Sequence, residues 1–413
     1  MKVELTPPEA AGFSPARLAR IRPAMQAYCD ARGFAGISTM IARRGAVVHH
    51  EQVGYSDHER ALPLPADAIY RMYSMTKPIV CMALMTLFEE GKFQLNDPLA
   101  KFLPGFAKVR VLTRAADGNT SEAELSRPIT LHDLFTHTAG FSYDFLIDSP
   151  VSAMYRTARI GADVSRTLES MVAELTRLPL AYQPGTRFHY SVAIDVLGHL
   201  IEVISGMPLQ DFLSARIFVP LDMMDTGFSV HASKVGRVAK MYGNPDIVAH
   251  SLLEAVGAWK PTEHTLRDVS TTYPSDSASF ARGGHGLFST SWDYMRFAQM
   301  QLNRGVLDGV RILAAKTVDF MYMNHLPAAL LPYELGGIYS YGRGFGLGSA
   351  VVMDPAASGI PSSVGEHNWG GAAKTNYWVD PVEQVVGVFM TQYMFAFDHP
   401  DTDFHVLANQ ALV

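Results

Sequence analysis

A serine and a lysine three positions apart stand at the head of a long apolar segment, and this stretch constrains the chain more than any other. Ser74 and Lys77 form the pattern Ser-x-x-Lys, and residues 80–88 (VCMALMTLF), which follow almost at once, are nearly all apolar. That run is too long for one strand and predicts a buried helix that ends at Gly91. Pro78 is typical of a first helical turn, where its missing N–H costs no hydrogen bond. Ser74 is therefore expected at, or just before, the start of the helix.

The spacing of this pair predicts a chemical contact. Side chains three residues apart lie on one face of a helix, so the Lys77 amine can reach the Ser74 hydroxyl. A serine hydroxyl is a poor nucleophile unless a base or a nearby cation helps to remove its proton. Burial against an apolar helix lowers the pKa of a lysine. The pair indicates a nucleophilic serine, although Ser-x-x-Lys also occurs by chance on helix surfaces.

Composition narrows the classes of function open to the chain. The 413 residues carry a formal charge of −6 and show no cluster of lysine and arginine, so nucleic acid is not expected as a partner. With 48% hydrophobic and 18% charged residues, the composition is that of a globular protein with a large core. The first residues lack an apolar secretory segment, and no stretch is apolar for long enough to span a bilayer. Cys29 and Cys81 lie on apolar helix patterns and are expected to be buried free thiols, which suits a cytoplasmic location.

Strand patterns occur near both ends of the chain, and helical patterns lie between them. Residues 36–42 and 46–50 predict a β-hairpin, and three strand-like runs follow near 366–371, 374–379 and 385–391. Other helices are predicted from Ser14, from Thr130 through Phe135, from near Tyr190 to Gly206, from Pro208 to about Phe218, from a cap at Ser291, and in the tail from Asp401. Residues 228–285 are expected to be surface loops.

This order predicts an α+β fold. The two terminal parts can share one antiparallel sheet flanked by helices, with the middle of the chain inserted as a mostly helical domain. We expect residues 1–95 and 283–413 to form the α/β domain that carries the sheet, and residues 96–282 to form the helical insertion. The active site is expected between the two.

Two further stretches are candidates for chemistry. A Gly/Pro turn at residues 182–185 delivers Tyr190 to the head of a helix. A tyrosine can act as a base only if a cation lowers its pKa, and Lys77 is a candidate for that cation; the alternative is a tyrosine that only packs at a helix start. Residues 366–372 (EHNWGGA) place two glycines in a strand, which indicates close approach of a ligand or of backbone, or else a simple bulge.

Taken together and in this order, these stretches resemble the serine β-lactamase and penicillin-binding-protein superfamily. Within it the chain is similar to the class C β-lactamase fold, and most of all to the family VIII carboxylesterases. The resemblance covers nearly the whole chain. It includes residues 134–140 (LFTHTAG), 183–185 (QPG), 286–290 (GLFST) and 369–371 (WGG).

The resemblance implies a role for each matching residue. Ser74 matches the acylated serine, Lys77 the lysine of its motif, and Tyr190 the tyrosine of the Tyr-x-Asn motif. The oxyanion hole would consist of the backbone N–H groups of Ser74 and Ala372, the two donors that a tetrahedral intermediate needs. Whether Lys77 or Tyr190 is the operative base stays open at this stage.

The chain departs from the β-lactamase pattern in its substrate-binding residues. Trp369, Gly370 and Gly371 stand where β-lactamases have Lys-Thr-Gly, and Val192 stands where they have the asparagine of Tyr-x-Asn. An indole offers one N–H donor but no charge to the carboxylate of a β-lactam. A small, uncharged ester is therefore the expected substrate. Residues 374–376 (KTN) are interpreted as the continuing strand.

The expected function is hydrolysis of short-chain carboxylic esters through an acyl-enzyme. The alternatives are a β-lactamase or DD-peptidase-like amidase, an acyltransferase to an alcohol, and a silent binding protein that keeps the pocket. The Gly-x-Ser-x-Gly motif of α/β-hydrolases does not occur. No cofactor and no metal are expected, because His132 and His137 do not share a helical face. A solvated helix start is the interpretation of the tail cluster of Asp398, His399, Asp401, Asp403 and His405.

Overall fold

A computed structural model gives the fold of the chain. It describes residues 3–31, 33–114, 118–146, 149–161, 163–243, 266, 268–270, 281–394 and 398–413.

The strands of the described residues concentrate near the two ends of the chain. They are β1 Gly36–Arg43, β2 Ala46–Asp57, β3 Leu62–Pro63, β4 Tyr70–Arg71, β5 Val111–Arg114, β6 Thr120–Ala123, β7 Tyr242–Gly243, β8 Phe288–Ser289, β9 Val306–Leu307, β10 Val310–Arg311, β11 Tyr333–Leu335, β12 Ile338–Ser340, β13 Arg343–Phe345, β14 Ala350–Val352, β15 His367–Gly370, β16 Asn376–Asp380, β17 Val385–Thr391 and β18 Tyr393–Met394.

The α-helices of the described residues dominate the middle of the chain. They are α1 Pro15–Leu18, α2 Ile21–Ala31, α3 Thr76–Glu89, α4 Leu131–Phe135, α5 Pro150–Thr157, α6 Leu168–Leu175, α7 Ala193–Ser205, α8 Leu209–Leu213, α9 Ser291–Leu302, α10 Ala315–Met321, α11 Pro355–Ser358 and α12 Pro400–Asn409. A π-helical turn, Ser214–Phe218, continues α8.

One antiparallel sheet joins the two ends of the chain. Within the described ranges it has eight strands in the order β13–β14–β15–β16–β17–β1–β2–β3. β1 lies between β2 and β17, so that Thr39 pairs with Glu51 on one side and with Phe389 on the other. The predicted α+β fold, with an antiparallel sheet shared by the terminal parts, is confirmed.

The sheet is covered by helices on both faces. Along β1, Met40 and Ala42 belong to a large core that includes residues of α9, whereas Ile37 and Ile41 belong to a second core with residues of α2 and α12. Successive side chains of a strand point to opposite faces, so β1 is buried along its whole length. This two-sided burial explains why residues 36–42 are almost continuously apolar.

The helix that follows Ser74 lies at the centre of the large core. Every residue from Thr76 to Leu87 is buried, and α3 ends at Glu89, followed by Gly91 with φ 71°. A helix that is apolar on all sides is stable only when protein surrounds it. Helix α3, which follows Ser74, packs against α7 and α8 of the middle part of the chain. The helix therefore contacts both parts of the molecule.

Several predicted helix boundaries were wrong, each for a local reason. The helix expected from Ser14 is two helices, α1 and α2, because a continuous helix would place Pro23 in its interior, whereas the restart at Ile21 places it in a first turn. The Thr290 side chain, not that of Ser291, accepts the Asp293 N–H and caps α9.

Three other predictions need correction. Cys29 is only half-buried, while Cys81 is buried as expected. Lys374 has φ 62° and lies in the connection between β15 and β16, so residues 374–376 do not simply continue the strand. Much of the loop predicted at residues 228–285 lies outside the described residues; its described part contains a 3-10 turn, Ala232–Arg237, and β7.

Candidate active site

Ser74 lies in a strained turn at the head of the central helix. The turn is a 3-10 helix, Tyr73–Met75, that leads directly into α3. Tyr73 has φ 45°, a left-handed conformation that bulky residues rarely adopt. The Leu287 carbonyl accepts the Met72 N–H at 2.9 Å and fixes the chain just before the turn. The result is a serine that is partly exposed and stands at the positive end of a buried helix.

The Lys77 amine is buried against Ser74. Its Nζ donates to Ser74 Oγ at 3.1 Å and to the Gly284 carbonyl at 2.6 Å. The same atom lies 4.6 Å from the ring centroid of Tyr190 and 5.4 Å from that of Tyr143. Burial lowers the pKa of Lys77 to about 7, against the opposing charge of Asp195. A pKa this close to neutral pH allows the amine to lose its proton and then to accept one.

Tyr190 lies beside Ser74 and Lys77. It precedes α7, and its ring lies 4.6 Å from that of His137 and 5.6 Å from that of Trp369, measured between centroids. Burial raises the pKa of the Tyr190 hydroxyl, and interactions with Ser74 and Trp369 offset that rise only in part.

This pKa corrects one expectation from the sequence. Lys77 was expected to lower the pKa of Tyr190, yet the pKa is raised, because desolvation outweighs the neighbouring dipoles and the negative charge of Asp195 acts in the same direction as burial. Tyr190 is therefore a protonated phenol at neutral pH. Only after losing this proton could its oxygen act as a base.

The end of strand β15 lies against the Ser74 turn. A Cβ atom at Gly371 would overlap the Met72 carbonyl and the Thr375 hydroxyl, which explains why glycine stands there. Trp369 is 9% exposed, and its ring lies 5.2 Å from that of Phe345. Gly371 thus permits backbone to approach backbone, one of the two interpretations that the sequence allowed.

The oxyanion donors remain a prediction. Ser74 lies at the head of α3, and Ala372 follows the glycine that touches Met72, so the two segments are neighbours. The Thr375 hydroxyl donates to the same Met72 carbonyl at 3.3 Å and holds them together. This arrangement places the chain segment of Ala372 beside the turn that carries Ser74.

Val192 differs from the other predicted substrate-binding residues in its burial. Its side chain is 1% exposed and belongs to the large core, and its N–H donates to the Ser142 carbonyl at 3.2 Å. A direct contact between Val192 and substrate stays a prediction. Its burial favours a role in packing the start of α7.

Sequence reasoning missed three residues of the site. Tyr143 packs beside Lys77, the Gly284 carbonyl accepts from its amine, and the buried Asp195 accepts the Gly284 N–H at 2.9 Å. A signal did exist for Asp195, since it is a carboxylate inside the apolar start of α7. A buried charge in such a place needs a partner.

Several of the histidines and tail acids contact neighbouring side chains. His132 pairs with His325 through a 3.2 Å contact between Nε2 and Nδ1, and no group of three or more metal-binding side chains occurs within the described part of the chain. The tail cluster is less solvated than expected. His405 is buried and contacts the Glu366 carboxylate at 3.1 Å, while Asp401 lies 3.5 Å from the Lys374 amine.

Known proteins resemble this chain in sequence and in fold. A family model described as Beta-lactamase matches residues 19–411. The chain belongs to the beta-lactamase family. An uncharacterized protein of Mycobacterium tuberculosis is 35% identical over 88% of this chain and 87% of its own length. Esterase EstB of Burkholderia gladioli is 30% identical over 84% of this chain and 83% of its own.

A solved structure agrees with these relatives. EstCE1, described as a hydrolase with promiscuous acyltransferase activity, superposes with a TM-score of 0.76 at 25% identity, covering 95% of this chain and 98% of its own. These findings confirm the resemblance to the esterases of the serine β-lactamase and penicillin-binding-protein superfamily, and the chain is a serine hydrolase. Within the described residues, every helix is too short or too polar to span a bilayer.

Proposed function

We propose that this enzyme hydrolyses short-chain carboxylic esters through an acyl-enzyme formed on Ser74. The observation that carries the proposal is the buried Lys77 amine, which lies 3.1 Å from Ser74 Oγ and whose pKa is lowered to about 7. A base with a pKa close to neutral pH is the form of lysine that can activate a serine. The similarity to esterase EstB supports the choice of ester over amide.

In the acylation step, the neutral Lys77 amine takes the proton of Ser74 as Oγ attacks the ester carbonyl. The backbone N–H groups of Ser74 and Ala372 would stabilise the oxyanion of the tetrahedral intermediate. As the intermediate collapses, the Tyr190 hydroxyl gives its proton to the leaving alcohol. The proton on Lys77 then passes to the Tyr190 phenolate, whose ring lies 4.6 Å from Nζ, and both groups regain their starting states.

Deacylation uses the same groups in the same order. Water attacks the acyl carbonyl while Lys77 accepts its proton, and the Ser74 oxygen leaves with a proton from Tyr190. The opposite pKa shifts of the two residues support the assignment in this proposal of Lys77 as the base and Tyr190 as the acid.

The substrate proposal rests on the absence of charge at Trp369. A cation at this position would attract the carboxylate of a β-lactam, and losing such a charge-assisted hydrogen bond costs about 1.5–3 kcal/mol. The rings of Trp369, Tyr190 and Phe345 instead form an apolar aromatic group beside the serine. A short, uncharged acyl group suits this surface, and β-lactam turnover is expected to be weak.

Acyl transfer to an alcohol is the second candidate. EstCE1, which shares the fold over nearly its whole length, is described as having promiscuous acyltransferase activity. Transfer would use the same acyl-enzyme and replace water by an alcohol. Adding methanol or butanol to the hydrolysis assay and measuring the new ester by chromatography distinguishes the two fates of the acyl group.

The test compares kcat/KM for p-nitrophenyl butyrate and for nitrocefin on one preparation. We expect the ester to be the better substrate, and Ser74→Ala to reduce its turnover to background, with loss of the mass that a fluorophosphonate adds to the Ser74 peptide. Ser170→Ala, at an exposed serine in α6, is the matched control and is expected to keep full activity. Equal efficiency with nitrocefin, or phosphonylation of another serine, contradicts the proposal.

A further inference from the structure

A buried carboxylate is linked to the catalytic amine through one peptide group. Asp195 lies in the first turn of α7 and is fully buried. Its Oδ1 accepts the Gly284 N–H at 2.9 Å, and the carbonyl of the same Gly284 accepts from Lys77 Nζ at 2.6 Å. The three groups form a continuous chain of hydrogen bonds from the helix to Ser74.

The packing leaves no room for another group between Asp195 and the Gly284 peptide. A Cβ atom at Gly284 would lie 2.5 Å from Asp195 Oδ2 and 2.9 Å from the Tyr143 hydroxyl. Glycine is therefore required for the peptide to approach the carboxylate. Removing a carboxylate from water costs free energy unless hydrogen bonds and an opposite charge compensate. A carboxylate packed this tightly is therefore a candidate for a functional role.

We propose that Asp195 is a positioning residue for catalysis: through the Gly284 peptide it holds the Lys77 amine against Ser74, and its charge sets the pH range in which that amine is the base. The proposal rests on the role of Lys77 in the proposed ester hydrolysis. Asp195 does not touch substrate in this scheme and acts only through Gly284 and Lys77.

The groups that face Asp195 determine whether it is charged, and so in which direction it shifts the pKa of Lys77. Burial raises the pKa of Asp195, and Lys77 and, more weakly, Arg282 act in the opposite direction. Arg282 donates to the carbonyls of Asp163 and Arg166, so it also has other partners. Burial raises the pKa values of the Tyr143 and Tyr190 hydroxyls, which keeps both neutral beside the carboxylate.

The other titratable groups that face Lys77 are neutral at neutral pH. Burial lowers the pKa values of His137 and His285 and raises that of the Cys81 thiol. Asp195 is thus the negative charge that favours the protonated amine. Removing this charge lowers the pKa of Lys77 further and moves the onset of activity to lower pH.

Asp195→Asn separates the charge from the hydrogen bond. The amide oxygen can still accept the Gly284 N–H, but the charge is gone. We expect the acid limb of kcat/KM for p-nitrophenyl butyrate to move down by about one pH unit. A role confined to stability would lower the amount of folded enzyme, counted by fluorophosphonate titration, and leave the position of the limb unchanged. An unchanged limb overturns the proposal.

Gly284→Ala gives a second test, which also applies if Asp195→Asn yields no folded enzyme. The new methyl group pushes the carboxylate away from the peptide, and we expect a loss of kcat of about a hundredfold, with slower phosphonylation of Ser74. Unchanged phosphonylation contradicts the proposal.

Asp380→Asn is the matched control, because Asp380 is also a buried carboxylate that accepts backbone N–H groups, those of Val382 and Glu383, in the sheet. It is expected to leave the acid limb in place. Failure of the wild-type enzyme to hydrolyse esters would refute the proposed function itself, whereas an unshifted Asp195→Asn limb refutes only the role of Asp195.

Discussion

The buried Lys77 amine is the group on which the proposed pH dependence rests. The pKa of Lys77 is lowered to about 7 in the folded protein, and its neutral form is the proposed base. We expect kcat/KM for a non-ionising ester to rise as the pH increases through about 7, because the amine loses its proton there. The measurement is kcat/KM between pH 5.5 and 9. A limb near the pKa of an ordinary tyrosine, about 10, would assign the base role to Tyr190 instead.

Lys77 and Tyr190 are expected to act as one unit. Lys77→Ala and Tyr190→Phe are each predicted to reduce kcat by about two to four powers of ten, the scale of a lost acid or base. The double variant is expected to be scarcely slower than either, since the proton passes between the two groups. Tyr322→Phe, at a buried tyrosine outside the site, serves as the control. If the loss of kcat in the double variant equals the product of the two single losses, the two residues act independently.

At the residue scale, the sequence predicted which residues would meet and not how they would titrate. The contact between Ser74 and Lys77 followed from helix spacing alone, and the resemblance assigned Trp369 only to the substrate-binding residues. The raised pKa of Tyr190 depends on the sum of burial and neighbouring charges in three dimensions. Asp195 was missed because its partner, Gly284, is distant in the chain.

The close approach of strand β15 to the Ser74 turn at Gly371 gives a test at the scale of structural elements. Gly371→Ala places a methyl group against the Met72 carbonyl and forces the end of β15 away from the Ser74 turn. We expect kcat/KM to fall by about a hundredfold, because a displacement near 1 Å at the reacting groups has that effect.

The control for this prediction is Gly236→Ala, where a Cβ atom meets open space. Circular dichroism and fluorophosphonate titration show whether each variant is folded. Full activity of Gly371→Ala would mean that the turn tolerates the shift and that the approach is not needed for catalysis.

Helices and strands with a clear sequence pattern were predicted correctly, but the residues at which they begin and end were predicted less accurately. The helix after Ser74 and the hairpin of β1 and β2 occur where expected, because a long apolar run and a Gly-containing turn are local signals. The start of α7 at Ala193 rather than near Tyr190 could not be foreseen. Tyr190 is held outside the helix by packing on His137 and Trp369, which are distant in the chain.

A histidine pair joins the middle of the chain to its C-terminal part. His132 of α4 contacts His325, which follows α10. The pKa of His132 is lowered by burial and by His325, and burial lowers that of His325. Both are therefore neutral in the folded state at pH values where an unfolded chain binds protons. Their contribution to stability is present above about pH 6.5 and is lost as the pH falls from there toward the lowered folded-state values.

We expect the melting temperature to fall on acidification from pH 7.5 to 5. His325→Gln, which cannot take up the proton, is predicted to reduce the slope of unfolding free energy with pH by at most about 1.4 kcal/mol per pH unit. The control is His231→Gln, at an exposed histidine. An unchanged slope in His325→Gln would show that the pair does not sense pH. Burial lowers the pKa of His49 to about 4, so His49 also makes the unfolding free energy fall on acidification. This contribution is the same in every variant compared.

At the scale of the whole molecule, the order of elements was enough to predict a shared sheet. The division into residues 1–95 with 283–413 and residues 96–282 remains a prediction. Helix α3 packs on α7 and α8, and Arg187 of the middle part contacts Glu334 at 3.3 Å, so the two parts share packing and an ion pair. Sequence periodicity reports which face of an element is buried, but not against which distant partner.

The pairing of β1 with β17 has a consequence for the synthesis of the chain. The sheet cannot close until nearly the whole chain has left the ribosome, because its central strands come from opposite ends. Ser74 and Lys77 emerge early, whereas Tyr190, Gly284 and Trp369 follow much later. A nascent or truncated chain therefore carries the serine without the phenol and the carbonyl that complete its site. If Ser74 is the nucleophile, we expect it to become reactive only after most of the chain has been synthesised.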